Sequence, residues 1–309
     1  MTHKIGFIGL GAMGLPMLEN LARQANFDLR AFDTSDTPFA RLAEHPEWGK
    51  SLTRADAMND MADRDIVILM LPNSAITNRV VLGSDGTKGL ADILSDGSKI
   101  IDMGSSDPLE TRKLNTTLEA RGIYLVDAPV SGAVARAATG KLAIMFGGND
   151  DALGDVRPVL ETMGSDLFAV GLTGDAHAMK ALNNYVYAAG LLAMSEALCI
   201  AEQQGLSLDH FVDVLNASSG RNVATDTKAK QFILPETYDA GFLMRLQAKD
   251  LRIADMLGRD AGVPATLLDL CTSRWKEAEA AQPDADNTAI HKYIKTLAAE
   301  SRTKEEKSA

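Results

Sequence analysis

Cysteine and histidine are scarce in this chain, which has two cysteines, Cys199 and Cys271, and five histidines in 309 residues. Two widely separated thiols do not make the dense pattern of a disulfide framework, and neither residue type shows the spacing of metal ligands. We therefore expect reduced thiols, a reducing and hence cytoplasmic setting, and no bound metal.

Positive charge is also in short supply, because 31 Lys and Arg stand against 42 Asp and Glu and give a formal net charge of −11. Binding to a nucleic-acid backbone needs a clustered basic footprint, and an anionic membrane surface attracts the same kind of patch. We expect no nucleic-acid partner and no membrane partner. A small anionic ligand is still compatible with this charge, since one pocket can be positive in a negative protein.

Long hydrophobic runs are missing too, because no uninterrupted apolar stretch reaches the roughly 18 to 20 residues of a membrane span. The longest apolar segment, residues 186–201, is interrupted by Ser195 and Glu196 and is typical of a buried helix. The chain is otherwise ordinary globular material, 46% hydrophobic and 24% charged. Its length is enough for about two domains of roughly 150 residues.

Residues 4–17, KIGFIGLGAMGLPM, begin with an apolar run that has two interpretations. A secretory signal peptide has an unbroken apolar core followed by small residues at a cleavage site, whereas Gly9, Gly11 and Gly14 interrupt this run. Residues 4–8 are therefore predicted to form a strand, the glycines a turn, and the residues up to about 24 an amphipathic helix.

The pattern Gly9-x-Gly11-x-x-Gly14 is typical of a dinucleotide-binding turn. The first glycine permits the tight turn, the second lets the backbone approach a pyrophosphate, and the third lets the helix pack closely on the strand. A second predicted strand, FDLRAFD, ends in Asp33, 19 residues after Gly14. An acid near this position holds the ribose 2′-OH of NAD and repels the 2′-phosphate of NADP, so NAD is preferred. The alternative is a glycine-rich turn with Asp33 as a helix cap.

Further strand-like runs alternate with helical ones at residues 65–71, 99–104, 123–130 and 142–148. This alternation predicts a mostly parallel sheet with crossover connections. Ligands bind outside the carboxyl ends of such strands. The loops 71–73, 105–108 and 129–132 are therefore expected to line one crevice, although each loop alone is also explained as a simple turn.

Strand patterns disappear after residue 170, and helices are predicted at 174–204, 208–216, 246–261 and 264–280. We predict an α/β Rossmann-type domain at 1–170, an all-α domain at 171–300 built on the long first helix, and a polar tail at 301–309. The apolar length of that first helix indicates a subunit interface, and hence a homodimer or homotetramer.

The segment GDAHAMKALNN, residues 174–184, places a lysine inside the apolar start of the long helix. Lys180 and Asn184 are four residues apart and share one helix face, with His177 on the same side. A buried lysine is costly unless it has a task or a partner. The alternative is a lysine that extends to the surface near the helix end.

Four motifs in this order make the chain resemble the β-hydroxyacid dehydrogenases, the family of 3-hydroxyisobutyrate dehydrogenase and tartronate semialdehyde reductase and, more distantly, of 6-phosphogluconate dehydrogenase. The motifs are GFIGLGAMGLPM, DAPVSGAVARAATGKLAIMFGG, GDAHAMKALNN and KDLRIA, and the resemblance covers nearly the whole length. It implies that Lys180 is the catalytic acid/base and that Asn184 lies at the reacting oxygen. It also implies that Ser131 and Gly132 hold a substrate carboxylate.

The resemblance further implies that Lys249 lies near the nicotinamide and that Ser105, where the family usually has threonine, touches the cofactor. Together with the turn and the strand ends, the candidate cofactor-binding residues are Gly9, Gly11, Ala12, Met13, Gly14, Asp33, Leu71, Pro72, Ser105 and Lys249. The candidate substrate-binding residues are Ser131, Gly132, Ala133, Arg136 and Asn184.

Three positions depart from the family pattern. Ala133 replaces a glycine, which narrows the space for a substrate, and Gly104 replaces a serine. Arg136 stands where glycine is common, and it is either a surface charge or an extra ligand for a second acidic group. Outside these motifs, Arg221 follows a Ser-Ser-Gly turn, and it either reaches the cleft or is only a charge beside the turn.

Oxidation of an alcohol by hydride transfer needs a group that takes up the hydroxyl proton as the hydride leaves. Desolvation and a positive nicotinamide would favour the neutral amine of Lys180 that accepts this proton. We expect an NAD-dependent enzyme that interconverts a short, 3-hydroxyisobutyrate-like 3-hydroxy acid and its semialdehyde or keto acid. The alternatives are an NADPH-dependent tartronate semialdehyde or succinate semialdehyde reductase, an imine reductase, which typically lacks this lysine, and a non-catalytic dinucleotide-binding module.

Overall fold

The computed structural model describes residues 3–84 and 86–308. Its internal contacts divide the chain into two units, Met1–Lys180 and Ala181–Ala309. The division lies ten residues later than the predicted boundary at 170. It falls inside the long helix because the first residues of that helix are hydrogen-bonded to a strand of the first unit.

Within the described residues, the first unit contains one nine-stranded sheet. Its strands are β1 (His3–Ile8), β2 (Phe27–Phe32), β3 (Leu52–Arg54), β4 (Ile66–Leu69), β5 (Lys99–Asp102), β6 (Tyr124–Asp127), β7 (Val130–Ser131), β8 (Leu142–Gly147) and β9 (Gly164–Gly171). The strand order is β3-β2-β1-β4-β5-β6-β8-β7, with β9 also paired to β8. All pairs are parallel except those that β8 makes with β6 and β7, which confirms the predicted, mostly parallel sheet.

Helices connect these strands and cover both faces of the sheet. They are α1 (Gly14–Ala22), α2 (Thr37–Leu42), α3 (Ser74–Leu82), α4 (Pro108–Glu119), α5 (Ala133–Ala138) and α6 (Asp150–Leu160), with short 3₁₀ helices at Met58–Met61 and Leu90–Asp92. Strand β4 shows why the sheet is buried on both sides: Ile66 and Ile68 belong to one hydrophobic cluster, and Val67 and Leu69 belong to another. Such continuous apolar strands are typical of parallel sheets with helices on both faces.

One predicted strand needs correction, and two strands, β3 and β9, were not predicted. The strand predicted over residues 123–130 is two strands, β6 and β7, separated at Pro129, which has no N–H to donate to a ladder. Strand β9 was missed because most of its residues are exposed at the edge of the sheet, so its sequence carries no alternation of apolar and polar residues.

The second unit is helical, as predicted. It contains the greater part of α7 (Asp175–Gln203), followed by α8 (Leu208–Ala217), α9 (Val223–Thr227), a π-helical turn (Ala229–Ile233), α10 (Met244–Asp260), α11 (Thr266–Ala281), a 3₁₀ turn (Asn287–Ala289) and α12 (Ile290–Ser308). Helix α12 continues through the predicted polar tail to Ser308, and Ala309 lies outside the described residues. The α/β domain followed by a helical domain is therefore confirmed.

Helix α7 is long and apolar enough to pass a membrane-span test based on length and composition. Half of the tested window is buried inside the structure, however. A buried core helix passes the same test, and we interpret α7 in that way.

Candidate functional site

The register of the parallel strands brings the predicted loops to one edge of the sheet. Ile8, at the end of β1, pairs with Phe32 of β2 and with Leu69 of β4, and Leu69 pairs in turn with Asp102 of β5. The strand order reverses at β1, where β2 lies on one side and β4 on the other. Dinucleotides bind at such a reversal, outside the carboxyl ends of the strands.

The glycine turn after β1 has the geometry that a pyrophosphate needs. A Cβ on Gly9 would lie 2.4 Å from the carbonyl oxygen of Met70, and a Cβ on Gly14 would lie 1.9 Å from the carbonyl oxygen of Gly9. Within residues 3–84 and 86–308, no heavy atom other than those of its chain neighbours lies within 4 Å of the corresponding position on Gly11. The outer two glycines therefore pack the turn, and the middle one leaves space beside the backbone.

The start of helix α1 is also suited to an anion. Met13 at the N-cap makes no side-chain capping bond, and no acidic residue lies in the first turn. Ala12, beside Gly11, is exposed. Uncapped N–H groups at a helix N-terminus attract phosphate, so the chain fits the pyrophosphate of a dinucleotide.

Asp33 lies next to this turn, one residue beyond β2. Its Oδ2 accepts a hydrogen bond from Leu10 N at 2.6 Å, and its Oδ1 accepts one from Ser35 N at 2.8 Å. Asp33 is not the N-cap of α2, which is Asp36. The carboxylate is thus held against the backbone of the glycine turn, where an adenosine ribose is expected.

The loops after β4 and β5 contact each other. A Cβ on Gly104 would lie 2.7 Å from the carbonyl oxygen of Leu71, so these loops leave no room for a side chain at this position. Pro72 and Ser105 belong to these two loops. Asn73 and Asp107 cap helices α3 and α4 by accepting hydrogen bonds from Ile76 N and Leu109 N. A structural role in the turn therefore accounts for these two residues without a ligand.

Lys180 lies beside the predicted carboxylate loop. Its Nζ donates a hydrogen bond to the carbonyl oxygen of Val130 at 2.9 Å, in a partly buried setting. Ser131 and Gly132 follow directly, and Gly132 has a φ of 137°, which side-chain-bearing residues rarely adopt. The structure thus brings together an amine and a loop whose conformation needs glycine.

Arg136 packs against this loop instead of extending away from it. Its Cβ and Cδ would lie 2.9 and 2.8 Å from a Cβ on Gly132. Its guanidinium pairs with Asp166 at 2.8 Å and also donates to the carbonyl oxygen of Lys141. Ala133 has a φ of 56°, the left-handed conformation in which the family's usual glycine is unstrained. A substrate contact by Arg136 or Ala133 stays a prediction.

In the second unit, Asn184 is held by a carboxylate that the sequence analysis did not single out. Asn184 is buried, and its Nδ2 donates to Asp250 Oδ2 at 2.5 Å. Lys249 Nζ lies 3.3 Å from Asp250 Oδ1, and Gln247 Nε2 donates to the carbonyl oxygen of Asn184 at 3.2 Å. Asp250 is 1% exposed and lies in the motif KDLRIA, so its position next to Lys249 was the available signal.

Arg221 pairs with Asp226 at 3.0 Å on the surface of the second unit, and 62% of its side chain is exposed. This geometry favours the surface-charge interpretation. Across residues 3–84 and 86–308, no group of three or more His, Cys, Asp or Glu side chains is arranged to hold a metal ion.

Comparison with known proteins gives the same picture over nearly the whole chain. Residues 4–171 match the family described as the NAD-binding domain of 6-phosphogluconate dehydrogenase. Residues 174–294 match the family described as NAD-binding of NADP-dependent 3-hydroxyisobutyrate dehydrogenase.

Individual relatives agree with these matches. The 2-(hydroxymethyl)glutarate dehydrogenase of Eubacterium barkeri is 34% identical over 87% of this chain and 87% of its own. The NAD-dependent L-serine dehydrogenase of Pseudomonas aeruginosa is 33% identical over 81% of this chain and 84% of its own. A structure of Mycobacterium tuberculosis 3-hydroxyisobutyrate dehydrogenase with L-serine has a TM-score of 0.85 and 30% identity, and covers 95% of this chain and 99% of that one.

The fold, the glycine turn and these relatives define an oxidoreductase that uses a nicotinamide dinucleotide. Within that class, the chain belongs to the β-hydroxyacid dehydrogenase family.

Proposed function

We propose that the protein is an NAD-dependent dehydrogenase that reversibly converts a short, 3-hydroxyisobutyrate-like 3-hydroxy acid to its semialdehyde or keto acid. The hydrogen bond between Lys180 Nζ and Val130 O carries this proposal. It supports the proposal because the Lys180 amine lies beside the loop that we propose holds the substrate carboxylate. Lys180 then exchanges the hydroxyl proton during oxidation and returns it during reduction.

The other residues bind and orient. Backbone N–H groups around Ser131 and Gly132 hold the carboxylate, because the glycine permits close approach. Asn184 lies four residues after Lys180 on the uninterrupted helix α7. Its Nδ2 donates to Asp250 and its Oδ1 accepts from Asn183 Nδ2, so its second N–H and the remaining lone pair of Oδ1 are proposed to orient the reacting oxygen. NAD, when bound, supplies the hydride acceptor.

The chemistry shared by three substrates or ligands in the relatives' names supports one substrate class. 3-Hydroxyisobutyrate, L-serine and 2-(hydroxymethyl)glutarate each carry a hydroxymethyl group on the carbon that also bears a carboxylate. We propose the same unit, HOCH₂–CHR–COO⁻, for this chain. The group R then distinguishes the family members, and one methylene in a pocket discriminates by only about 1–3 kcal/mol.

Asp33 supports NAD over NADP. A 2′-phosphate would meet the carboxylate that Leu10 N and Ser35 N hold beside the glycine turn, and like charges at such a site repel. Lys249 and Ser105 complete the proposed cofactor contacts. One relative is named as NAD-dependent and one matched family as NADP-dependent, so the preference rests on Asp33.

A panel assay tests this function. Purified wild type, Lys180→Ala and the matched control Lys113→Ala, an exposed lysine on α4, are assayed with NAD and NADP on 3-hydroxyisobutyrate, L-serine, 2-(hydroxymethyl)glutarate and glycerate. The reverse reaction is assayed with tartronate semialdehyde and succinate semialdehyde. Turnover of an HOCH₂–CHR–COO⁻ acid with NAD, lost only in Lys180→Ala, supports the proposal. If the enzyme turned over only the semialdehydes, and only with NADPH, an NADPH-dependent semialdehyde reductase would replace this proposal.

We also propose a homodimer or homotetramer in the cytoplasm. Helix α7 exposes three large apolar side chains in the second unit, Leu182, Val186 and Ile200, and exposed apolar patches mark interfaces. Light scattering of the purified protein measures the assembly. A mass of 33.0 kDa would show a monomer and contradict the proposal.

A further inference from the structure

A buried polar cluster in the first unit contains two carboxylates and one imidazole. Asp102, Asp127 and His177 are each no more than 2% exposed. The Nε2 of His177 lies 3.9 Å from Asp102 Oδ2, and its Nδ1 lies 3.8 Å from Asp127 Oδ2. The imidazole therefore stands between the two carboxylates, which end the adjacent strands β5 and β6.

Asp102 organises the loop after β5. Its Oδ1 accepts a hydrogen bond from Gly104 N at 3.0 Å, and its Oδ2 accepts one from Ser106 Oγ at 2.7 Å. Ser105 lies between these two anchored residues. The conformation of the loop that is proposed to touch the cofactor thus depends on the Asp102 carboxylate.

Asp127 anchors the start of helix α7. Its two oxygens accept hydrogen bonds from Gly174 N at 2.9 Å and from His177 N at 2.8 Å, and a negative charge at a helix N-terminus is stabilising. Burial raises the pKa of Asp127, and the neighbouring imidazole opposes that rise. Lys180 lies three residues beyond His177, so its position depends on this anchor.

His177 itself joins α7 to α4. The hydroxyl of Thr111 donates to Asp107 O at 2.9 Å, so it accepts a hydrogen bond from the Nδ1–H of His177, also at 2.9 Å. Helix α4 begins directly after the Ser105 loop. One edge of the ring is therefore hydrogen-bonded to α4. On the other edge, Nε2 faces the Asp102 carboxylate at 3.9 Å, which is too long for a hydrogen bond, and Nε2 has no hydrogen-bond partner within the described part of the chain.

We propose that His177 is a positioning residue that joins the loop of Ser105 to the helix of Lys180. The proposal rests on the proposed roles of Ser105 and Lys180. A displacement of either element reaches the other through the imidazole, so cofactor binding and proton transfer change together. The sequence motif around Lys180 carries this histidine, but its partners lie 50 or more residues earlier in the chain.

The test compares His177→Leu, His177→Asn and the matched control His291→Leu, a buried histidine of the second unit. Asparagine keeps a donor near the Nδ1 position that can reach Thr111. For each variant, four properties are measured: thermal unfolding, the dissociation constant of NADH by fluorescence, steady-state kinetics, and hydrogen exchange of residues 104–107 and 174–180.

His177→Leu is expected to weaken NADH binding and to lower kcat by about tenfold each, less than the roughly 100-fold that a misplacement of about 1 Å can cost. His177→Leu is also expected to speed hydrogen exchange in residues 104–107 and 174–180. His177→Asn is expected to keep most of the wild-type NADH affinity, kcat and exchange protection. His291→Leu is expected to lower thermal stability alone. Unchanged exchange and NADH affinity in His177→Leu, or an activity loss that merely follows the folded fraction, would overturn the proposal.

The exchange and NADH measurements do not need turnover. If the wild type oxidises no hydroxy acid, the proposed function fails, while these two measurements still decide whether His177 couples the loop to the helix.

Discussion

The side-chain nitrogen of Lys180 donates a hydrogen bond to the carbonyl oxygen of Val130, 2.9 Å away. Val130 is the residue before Ser131, so one bond fixes the distance between the proposed proton-transfer group and the proposed carboxylate loop. The helix and the loop are both tied to the end of strand β6, because Asp127 anchors the helix and Val130 follows Asp127 by three residues. The relationship is therefore a property of the first unit alone.

Lys180→Arg separates the charge of this residue from its proton transfer. Arginine keeps a cation that can donate to Val130, but a guanidinium stays protonated in proteins. We expect kcat to fall by about 100- to 10,000-fold, the usual contribution of general acid–base catalysis, with NADH binding unchanged. Steady-state rates and fluorescence titration measure the two effects, with Lys113→Arg as the control. Near-normal turnover would assign the proton to another group.

Substitutions of Gly11 and Gly14 should fail for different reasons. A Cβ at Gly14 meets the carbonyl oxygen of Gly9, so Gly14→Ala is expected to lower the free energy of unfolding by about 1–3 kcal/mol or more. A Cβ at Gly11 meets no atom of the described residues within 4 Å apart from its chain neighbours, so Gly11→Val should fold with near-normal stability. It should lose NADH binding, because its side chain fills the space for the pyrophosphate. Thermal unfolding and NADH titration distinguish the two, and normal NADH affinity in Gly11→Val would remove the pyrophosphate from this turn.

Asp33→Asn tests the cofactor preference. The amide keeps one oxygen acceptor for the backbone N–H groups but removes the charge that opposes a 2′-phosphate. We expect the ratio of kcat/KM for NADP to that for NAD to rise about tenfold, which corresponds to about 1.4 kcal/mol. Asp36→Asn, an exposed carboxylate paired with Arg54, is the matched control. If the wild type already prefers NADP, Asp33 does not set the preference.

The sequence predicted features that depend on local residues, and it missed those that depend on distant ones. The roles of Gly9 and Gly14 follow from a short pattern, and the structure shows the backbone contacts that exclude any side chain there. The anchoring of Lys180 by Val130 joins residues 50 apart, and the support of Asn184 by Asp250 joins residues 66 apart. No periodicity or spacing records such pairs, because tertiary packing alone creates them.

Arg136 should act as a brace for the loop and not as a ligand. The structure favours the surface-charge interpretation, because the guanidinium is paired with Asp166. Arg136→Met and Asp166→Asn are expected to lower stability by similar small amounts, about 0.2–1 kcal/mol for an exposed pair, and to leave the KM for a monocarboxylic substrate unchanged. Kinetics with the dicarboxylic acid 2-(hydroxymethyl)glutarate test the alternative, in which Arg136 binds substrate. A KM that rises only in Arg136→Met would make Arg136 a ligand for the second acidic group.

Asp250 should act through the orientation of Asn184. Its carboxylate only accepts, so it holds the Asn184 amide with Nδ2 toward Asp250, while Oδ1 points away and accepts from Asn183 Nδ2. Asp250→Ala leaves that N–H buried without its partner, a loss of about 1–3 kcal/mol in the free energy of unfolding.

The orientation is tested by Asp250→Asn, which keeps the size of the side chain and allows the Asn184 amide to turn over. We expect kcat to fall about tenfold or more, because a misdirected group loses its alignment with the reacting oxygen, while most of the stability is kept. Asp255→Asn on the same helix, where the carboxylate pairs with Arg259, is the matched control. Equal kinetics for Asp250→Asn and the wild type would show that Asn184 does not need Asp250 for its orientation, and the carboxylate would then serve the fold alone.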